Sequence, residues 1–307
     1  MLMLAPPRHE LIEYCNHFIA YCGGSESNTA IGLERLGIHT GWIGKLPRNA
    51  LGYKIFNEIR SQGVDTNGVI FTDKHRAGIF FFEWGTHPRP HKTIYDRSNS
   101  AASTLTYADI DWEYLSHTKW LHFTGITPAL SKNCRNSVIK IIENAHSKGI
   151  RISFDLNYRR LLWDEETARI TFLKMLPYIN ILIATQKDIE LILNKQMEAK
   201  DALKLLFEKN PCESIVMTLG KNGSIAFDGN KFFTSPGYDL EPVSRLGAGD
   251  AFDAGFLYGY ITHSIQTGLD YGMAMAALKM TIPQNIPLIN RIDVQNLMSG
   301  KNIGLLR

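Results

Sequence analysis

The sequence predicts an α/β protein, a mostly parallel sheet covered by helices on both faces, with a small β appendage standing apart from it. Three observations carry that prediction. Strand-length apolar runs alternate with helical stretches over most of the chain. One stretch, residues 69–97, breaks the alternation with three β-type runs and no helix between them. The 307 residues are 44% hydrophobic and 21% charged, an ordinary globular composition that suits one large α/β domain with an appendage or two domains.

The elements follow in order. Ala30, Ile31, Leu33 and Leu36 recur at helical spacing in residues 26–36, and Gly37 follows as a stop. A short strand at 41–46 and a helix at 51–59 come next, the helix ending before Gly63-Val64-Asp65. The runs 69–72, 78–83 and 92–95 read as strands, the last two joined by the loop that carries Pro88 and Pro90. They form a lid that closes over a site, or an ordinary hairpin decoration; the runs themselves leave both readings open. Alternation then resumes with a strand at 120–124, a helix at 131–147 stopped by Gly149, and strands at 151–156 and 180–184. A helix at 201–209, a strand at 214–219 before Gly220, and helices at about 249–262 and 269–281 complete the reading. Helices of this length between strands imply a parallel sheet buried on both faces.

Several function classes are excluded or disfavoured. A net charge of +3, with no run of five or six basic residues, gives no footprint for nucleic acid. No apolar run approaches 18 residues, and Met1-Leu2-Met3-Leu4 lacks the basic flank and length of a signal peptide, so no membrane partner is expected and a cytoplasmic location is. Cys15, Cys22, Cys134 and Cys212 are scattered without metal-ligand spacing, which points to free thiols in a reducing compartment.

The run Arg245-Leu246-Gly247-Ala248-Gly249-Asp250-Ala251-Phe252 is the most informative segment. Gly247 and Gly249 let backbone N–H groups approach a phosphate, and the helix that follows adds the positive end of its dipole. Asp250 would then stand beside that phosphate as a base for an attacking hydroxyl. Alternatively the segment is a glycine turn with Asp250 capping the helix.

Together with Gly23-Gly24-Ser25-Glu26-Ser27-Asn28-Thr29-Ala30, this loop resembles the paired signatures of the ribokinase-like (PfkB) carbohydrate kinases. Phe123-Thr124-Gly125-Ile126-Thr127-Pro128-Ala129-Leu130, Phe154-Asp155-Leu156-Asn157-Tyr158-Arg159, Lys92-Thr93-Ile94-Tyr95-Asp96-Arg97 and Ala277-Leu278-Lys279 narrow the resemblance to the 2-keto-3-deoxygluconate kinases, as does Arg245. It implies one ribokinase-like three-layer sandwich over residues 1–307, a lid from strands at about 69–72 and 78–97, and transfer of the γ-phosphoryl group of ATP to the terminal 6-hydroxyl of the sugar acid with Mg²⁺. Asp250 would be the base and Gly247, Ala248 and Gly249 the anion hole. Gly23, Gly24, Asn28, Phe80, Tyr95, Arg97, Ile126, Arg159 and Asn285 would line the sugar site. Thr185, Thr218, Gly220, Gly223, Gly247 and Gly249 would meet the nucleotide, with Asp188 in indirect contact with the metal. A substrate carboxylate needs fixed donors, and Arg97 and Arg159 are the candidates. Partners are then a sugar acid and ATP, and homo-oligomerisation through the lid is a family-level expectation.

The chain departs from that pattern in places. The resembling kinases open with an internal parallel strand before the Met-Leu-x-Leu-x-Pro-Pro stretch, so a truncated first strand is expected here. Met3 stands where an Arg is usual, and Ser244 where an Asp precedes the glycine loop. Thr185 and Asp188 occupy an Asn-x-x-Glu motif, Gln284-Asn285 replaces Gly-Asp, and Phe80 replaces a lid Tyr. Two other readings follow: a catalytically impaired sugar-binding or regulatory relic, and a kinase for another sugar or a nucleoside.

Overall fold

The computed structural model describes residues 1–7 and 10–300; the tail 301–307 of the expected domain lies outside them. The first half runs β1 (Leu2–Ala5), β2 (Ile19–Cys22), α1 (Ser25–Leu36), β3 (Gly44–Pro47), α2 (Ala50–Arg60), β4 (Val69–Thr72), β5 (Ile79–Glu83), β6 (Lys92–Asp96), α3 (Trp112–Ser116), β7 (Trp120–Thr124), α4 (Ile126–Ala129), α5 (Lys132–Ser147) and β8 (Arg151–Asp155). The second runs α6 (Glu165–Met175), β9 (Ile181–Thr185), α7 (Gln186–Leu193), α8 (Ala199–Lys209), β10 (Ser214–Thr218), β11 (Ser224–Phe227), β12 (Phe232–Ser235), α9 (Ala248–Thr262), α10 (Ile265–Met280) and α11 (Arg291–Met298).

A six-stranded sheet in the order β12-β11-β10-β9-β8-β7 is the centre of the molecule. β7 to β10 are parallel, and the β10–β11–β12 hairpins add an antiparallel edge. Alternate side chains explain why it is buried on both faces. Leu182, Ala184, Ile215 and Met217 join a core with Val138 of α5, Phe172 of α6, Ile189 of α7 and Leu203 of α8. Ile181, Ile183 and Val216 face the other way, into a core with Leu33 of α1, Phe256 of α9 and Met275 of α10. The result is the expected three-layer sandwich.

The lid differs from its expectation. Val69–Thr72 is not part of it: β4 pairs in parallel with β3 in a separate two-stranded sheet. The reason is the preceding helix, because β3, α2 and β4 form a crossover unit, and such a unit makes its strands parallel. The lid proper is a four-stranded sheet, β2-β1-β5-β6, in which β1 supplies a parallel partner to β5. Its inner face carries Met3, Phe80 and Phe82, which pack with Leu246 of the glycine loop. The lid therefore rests directly on the segment that precedes α9.

Candidate active site

The two glycine-containing segments, over 220 residues apart in sequence, meet at one carboxylate. Ser25 Oγ donates to Asp250 Oδ1 at 2.5 Å and Asn28 Nδ2 to Oδ2 at 2.7 Å. Both donors lie in the first turns of α1, and Asp250 lies in the first turn of α9, so two helix N-termini converge on it. Asn157 Nδ2 donates to Ser25 Oγ at 3.2 Å and fixes that hydroxyl in turn. Burial pushes the Asp250 carboxyl above its ordinary range, while the hydrogen bonds from Ser25 and Asn28, and the charge of Arg159, oppose the shift. Its orientation is set by the protein alone.

The turn before α9 is shaped by crowding at one glycine and openness at another. Gly247 has φ +82°, and a Cβ there would run into the Asn285 carbonyl. A Cβ at Gly249 would meet nothing within 4 Å. The N–H groups of Gly249 and Asp250 have no backbone acceptor, as first-turn donors of a helix do not. Open space above free N–H groups at the positive end of a 15-residue helix is a fit for a phosphoryl group.

The opposite wall is aromatic and basic. Phe80 on β5 and Tyr95 on β6 are cross-strand partners with ring centroids 5.6 Å apart. The Arg97 guanidinium lies 4.1 Å over the Tyr95 ring. Arg97 is only 8% exposed, and its Nε is buried with no hydrogen-bond partner. Burial lowers its pKa, and the nearby charge of Arg159 adds to that effect. Neither arginine forms an ion pair among the described residues. Asn285 Oδ1 is likewise buried and unpartnered. Its amide and the Phe80 ring each lie 3.1 Å from where a Cβ on Gly23 would sit, so only glycine leaves that corner open.

One cavity of about 1470 Å³ collects Gly23, Gly24, Asn28, Phe80, Tyr95, Arg97, Ile126, Arg159 and Asn285 with Gly247, Gly249 and Asp250. Thr185 and Thr218, paired across β9 and β10, line it too. Gly220 and Gly223 do not; they form the turn between β10 and β11, with Gly223 at φ +96°. Ala248 also lies outside the lining, its N–H donating to the Arg245 carbonyl. Asp188 is half of a capping box, taking the Thr185 N–H at 3.1 Å and hydroxyl at 2.7 Å on one oxygen. Among the described residues no group of three or more His, Cys, Asp or Glu is placed to hold a metal.

Sequence reasoning missed an acidic cluster beneath Asp250. Asp155, at the end of β8, has its carboxyl pushed up to about 8 by burial and by the Asp188 and Asp250 carboxylates. Asp253, one turn along α9 from Asp250, is pushed up by burial and then by Asp155, with which it shares a hydrogen bond. His122 Nε2 sits 3.8 Å from Asp253 Oδ2. Burial pushes that imidazole down to about 4, so it is neutral near pH 7 and the contact is no ion pair. The i, i+3 spacing of Asp250 and Asp253 was the available signal. Ser25 had none beyond its place inside the first motif.

Comparison with known proteins bears on the family and the fold. A family model described as pfkB family carbohydrate kinase matches residues 3–287. The chain is 32% identical to a 2-dehydro-3-deoxygalactonokinase of Haloferax volcanii, over 100% of this chain and 96% of the relative. It is 30% identical to a 5-dehydro-2-deoxygluconokinase of Bacillus licheniformis, over 90% of this chain and 86% of that one. The crystal structure of a 2-dehydro-3-deoxygluconokinase from Thermotoga maritima superimposes with a TM-score of 0.93 at 32% identity, covering 98% of this chain and 97% of that one.

Proposed function

This chain belongs to the pfkB family of carbohydrate kinases, and we propose that its substrate is 2-keto-3-deoxygluconate or a close sugar acid, phosphorylated by ATP on the terminal 6-hydroxyl. One observation carries the substrate class: two guanidinium groups, Arg97 and Arg159, line the cavity that holds Asp250, and among the described residues neither has a carboxylate partner of its own. A sugar carboxylate supplies the missing charge. The relatives in Haloferax volcanii and Bacillus licheniformis bear the names of kinases for keto-deoxy sugar acids, which supports the same class.

The chemistry follows from placement. Arg97, stacked on Tyr95, and Arg159 hold the acid end, and the open corner at Gly23 admits the sugar backbone. The terminal hydroxyl then lies at Asp250, whose carboxylate is held in place by Ser25 and Asn28 to take its proton. As the hydroxyl oxygen attacks, the free N–H groups of Gly249 and Asp250 stabilise the charge on the transferring group. Mg²⁺ would neutralise the nucleotide phosphates. The lid excludes water from the site.

A coupled ADP-release assay tests this with 2-keto-3-deoxygluconate, its galactonate epimer, 5-keto-2-deoxygluconate, fructose, ribose and adenosine. Turnover far faster with the acids than with fructose, ribose or adenosine is the expected result. Turnover with ribose or adenosine and none with any acid overturns the substrate class. No turnover at all, together with thermal stabilisation by a sugar acid, selects the impaired relic.

A further inference from the structure

Among the described residues Lys279, on the last turn of α10, is the one lysine that is buried, at 0% exposure. It forms no ion pair among those residues. Its ammonium donates to two carbonyls, that of Ser244 at 3.3 Å and that of Ile282 at 3.4 Å. A buried cation without a carboxylate is costly, and an apolar side chain of the same length would fill the space at less cost. Capping is the ordinary work of a lysine at the end of a helix, and the Ile282 carbonyl fits it. The Ser244 carbonyl does not, because it belongs to a segment 35 residues away.

The two carbonyls lie on the two segments that shape the turn before α9. Residues 243–247 lead into the glycine loop, and residues 281–285 carry Asn285. The first segment docks on the end of α10, where the Val243 and Ser244 N–H groups donate to the Met280 carbonyl at 2.8 and 3.2 Å. The second leaves that same end, with the Thr281 and Ile282 N–H groups bonded back to Leu278 and Lys279. They meet again at the glycine loop, where a Cβ on Gly247 would run into the Asn285 carbonyl. Ser244 Oγ takes the Leu246 N–H at 3.3 Å, and the Arg245 carbonyl takes that of Ala248 at 3.2 Å. A shift at Ser244 is therefore passed along to the free N–H groups of Gly249 and Asp250. Asp250 is also the carboxylate whose charge reaches the Lys279 ammonium.

We propose that Lys279 is a positioning residue for phosphoryl transfer: its ammonium ties the segment entering the glycine loop to the segment carrying Asn285, and so fixes the N–H groups of Gly249 and Asp250 against the transferring group. Its buried charge also favours the negative charge that gathers there. The inference rests on the phosphoryl position proposed for that loop and is independent of which sugar the kinase takes. The parent chain is compared with Lys279→Met and Lys279→Ala. Methionine keeps the length and removes the charge, so Tm should stay within about 3 °C of the parent or rise. Amide exchange at residues 243–248 and 281–282 should nevertheless quicken about tenfold. On every sugar the parent phosphorylates, kcat should fall about 10–100-fold while KM changes less than about threefold. In Lys279→Ala, methylammonium chloride enters the space left by the side chain and should raise kcat about fivefold or more. Tetramethylammonium chloride at equal ionic strength, which has no N–H to donate, should not.

Unchanged exchange in Lys279→Met overturns the tie, and kcat within about threefold of the parent overturns its part in the reaction. A Lys279→Met chain that melts more than about 10 °C lower marks the lysine as a structural one and overturns it too. So does no recovery of Lys279→Ala by methylammonium, or equal recovery in both salts. Loss confined to sugar acids assigns Lys279 to sugar recognition and overturns this proposal, while the acid-substrate reading stands. A parent that phosphorylates neutral sugars alone ends that reading and leaves this comparison intact, because it is made on those sugars.

Discussion

The corner around Asp250 and the wall around Arg97 face the same cavity, yet they are finished to different degrees. Both oxygens of Asp250 already hold a donor, one of which is itself fixed by Asn157. Elsewhere in the cavity, Arg97 Nε and Asn285 Oδ1 are buried without partners among the described residues. A carboxylate locked before any ligand arrives is preorganised for a step common to every substrate. Buried polar atoms left open are costly until a particular ligand satisfies them, so they select that ligand. In the proposed reading the chemistry sits at a corner built from the sandwich, and Arg97 brings a substrate-selecting charge from the segment that follows β6.

The largest expected effect comes from the finished corner. Asp250→Asn keeps the shape but removes the base, and kcat should fall about 10²–10⁴-fold while the dissociation constant for the sugar acid changes little. Retention of more than about a tenth of kcat in the ADP-release assay would remove Asp250 from that role. On the open wall, Arg97→Met keeps the stacking volume over Tyr95 but loses the charged donor. KM for the acid should rise about 10–100-fold, with a much smaller change in kcat.

A pH experiment separates the two walls further. Asp155 has a folded-state pKa raised to about 8, above its value in the unfolded chain. Its contribution to stability is fully present below about pH 4 and is lost as pH rises through about 8. Asp155→Asn should therefore flatten the fall in Tm between pH 5 and 8.5, a window chosen to span that titration. A melting profile as steep as that of the parent chain would contradict the buried acidic cluster.

The smallest effect concerns the segment that joins the walls. Lys279 is 0% exposed, and its ammonium touches only the carbonyls of Ser244 and Ile282. Burial pushes its pKa down to about 8. Ser244→Asp offers that ammonium a carboxylate and should raise stability by about 1–2 kcal/mol below pH 8, a few degrees in Tm. A lower Tm would mean that the space at Ser244 does not admit the pair.

Much of this was legible in the sequence, and the misses have physical reasons. The sandwich followed from apolar runs such as 214–219, because a strand buried on both faces must be apolar throughout. The close backbone approach at the glycine loop was legible because Gly247, at φ +82°, leaves no room for a Cβ. The small sheet was half legible: the strands that carry Phe80 and Tyr95 pair antiparallel as expected, but β4 left the group, since strand partnership depends on the connection through α2 and not on composition. β1 and β2 were missed because neither alternates apolar with polar residues, and their pairing joins segments on either side of the 6–18 loop. Asp155 and Asp253 were passed over for another reason. A lone acid in a strand or helix looks solvated until tertiary packing buries it.

The separation of the two walls is tested most directly by kcat/KM for 2-keto-3-deoxygluconate and for fructose, measured side by side in the parent enzyme and in Arg97→Met. The acid should lose about 10–100-fold in kcat/KM while the slow turnover of the neutral sugar stays within about twofold. Equal losses for both substrates, or a collapse of kcat like that expected of Asp250→Asn, would contradict it.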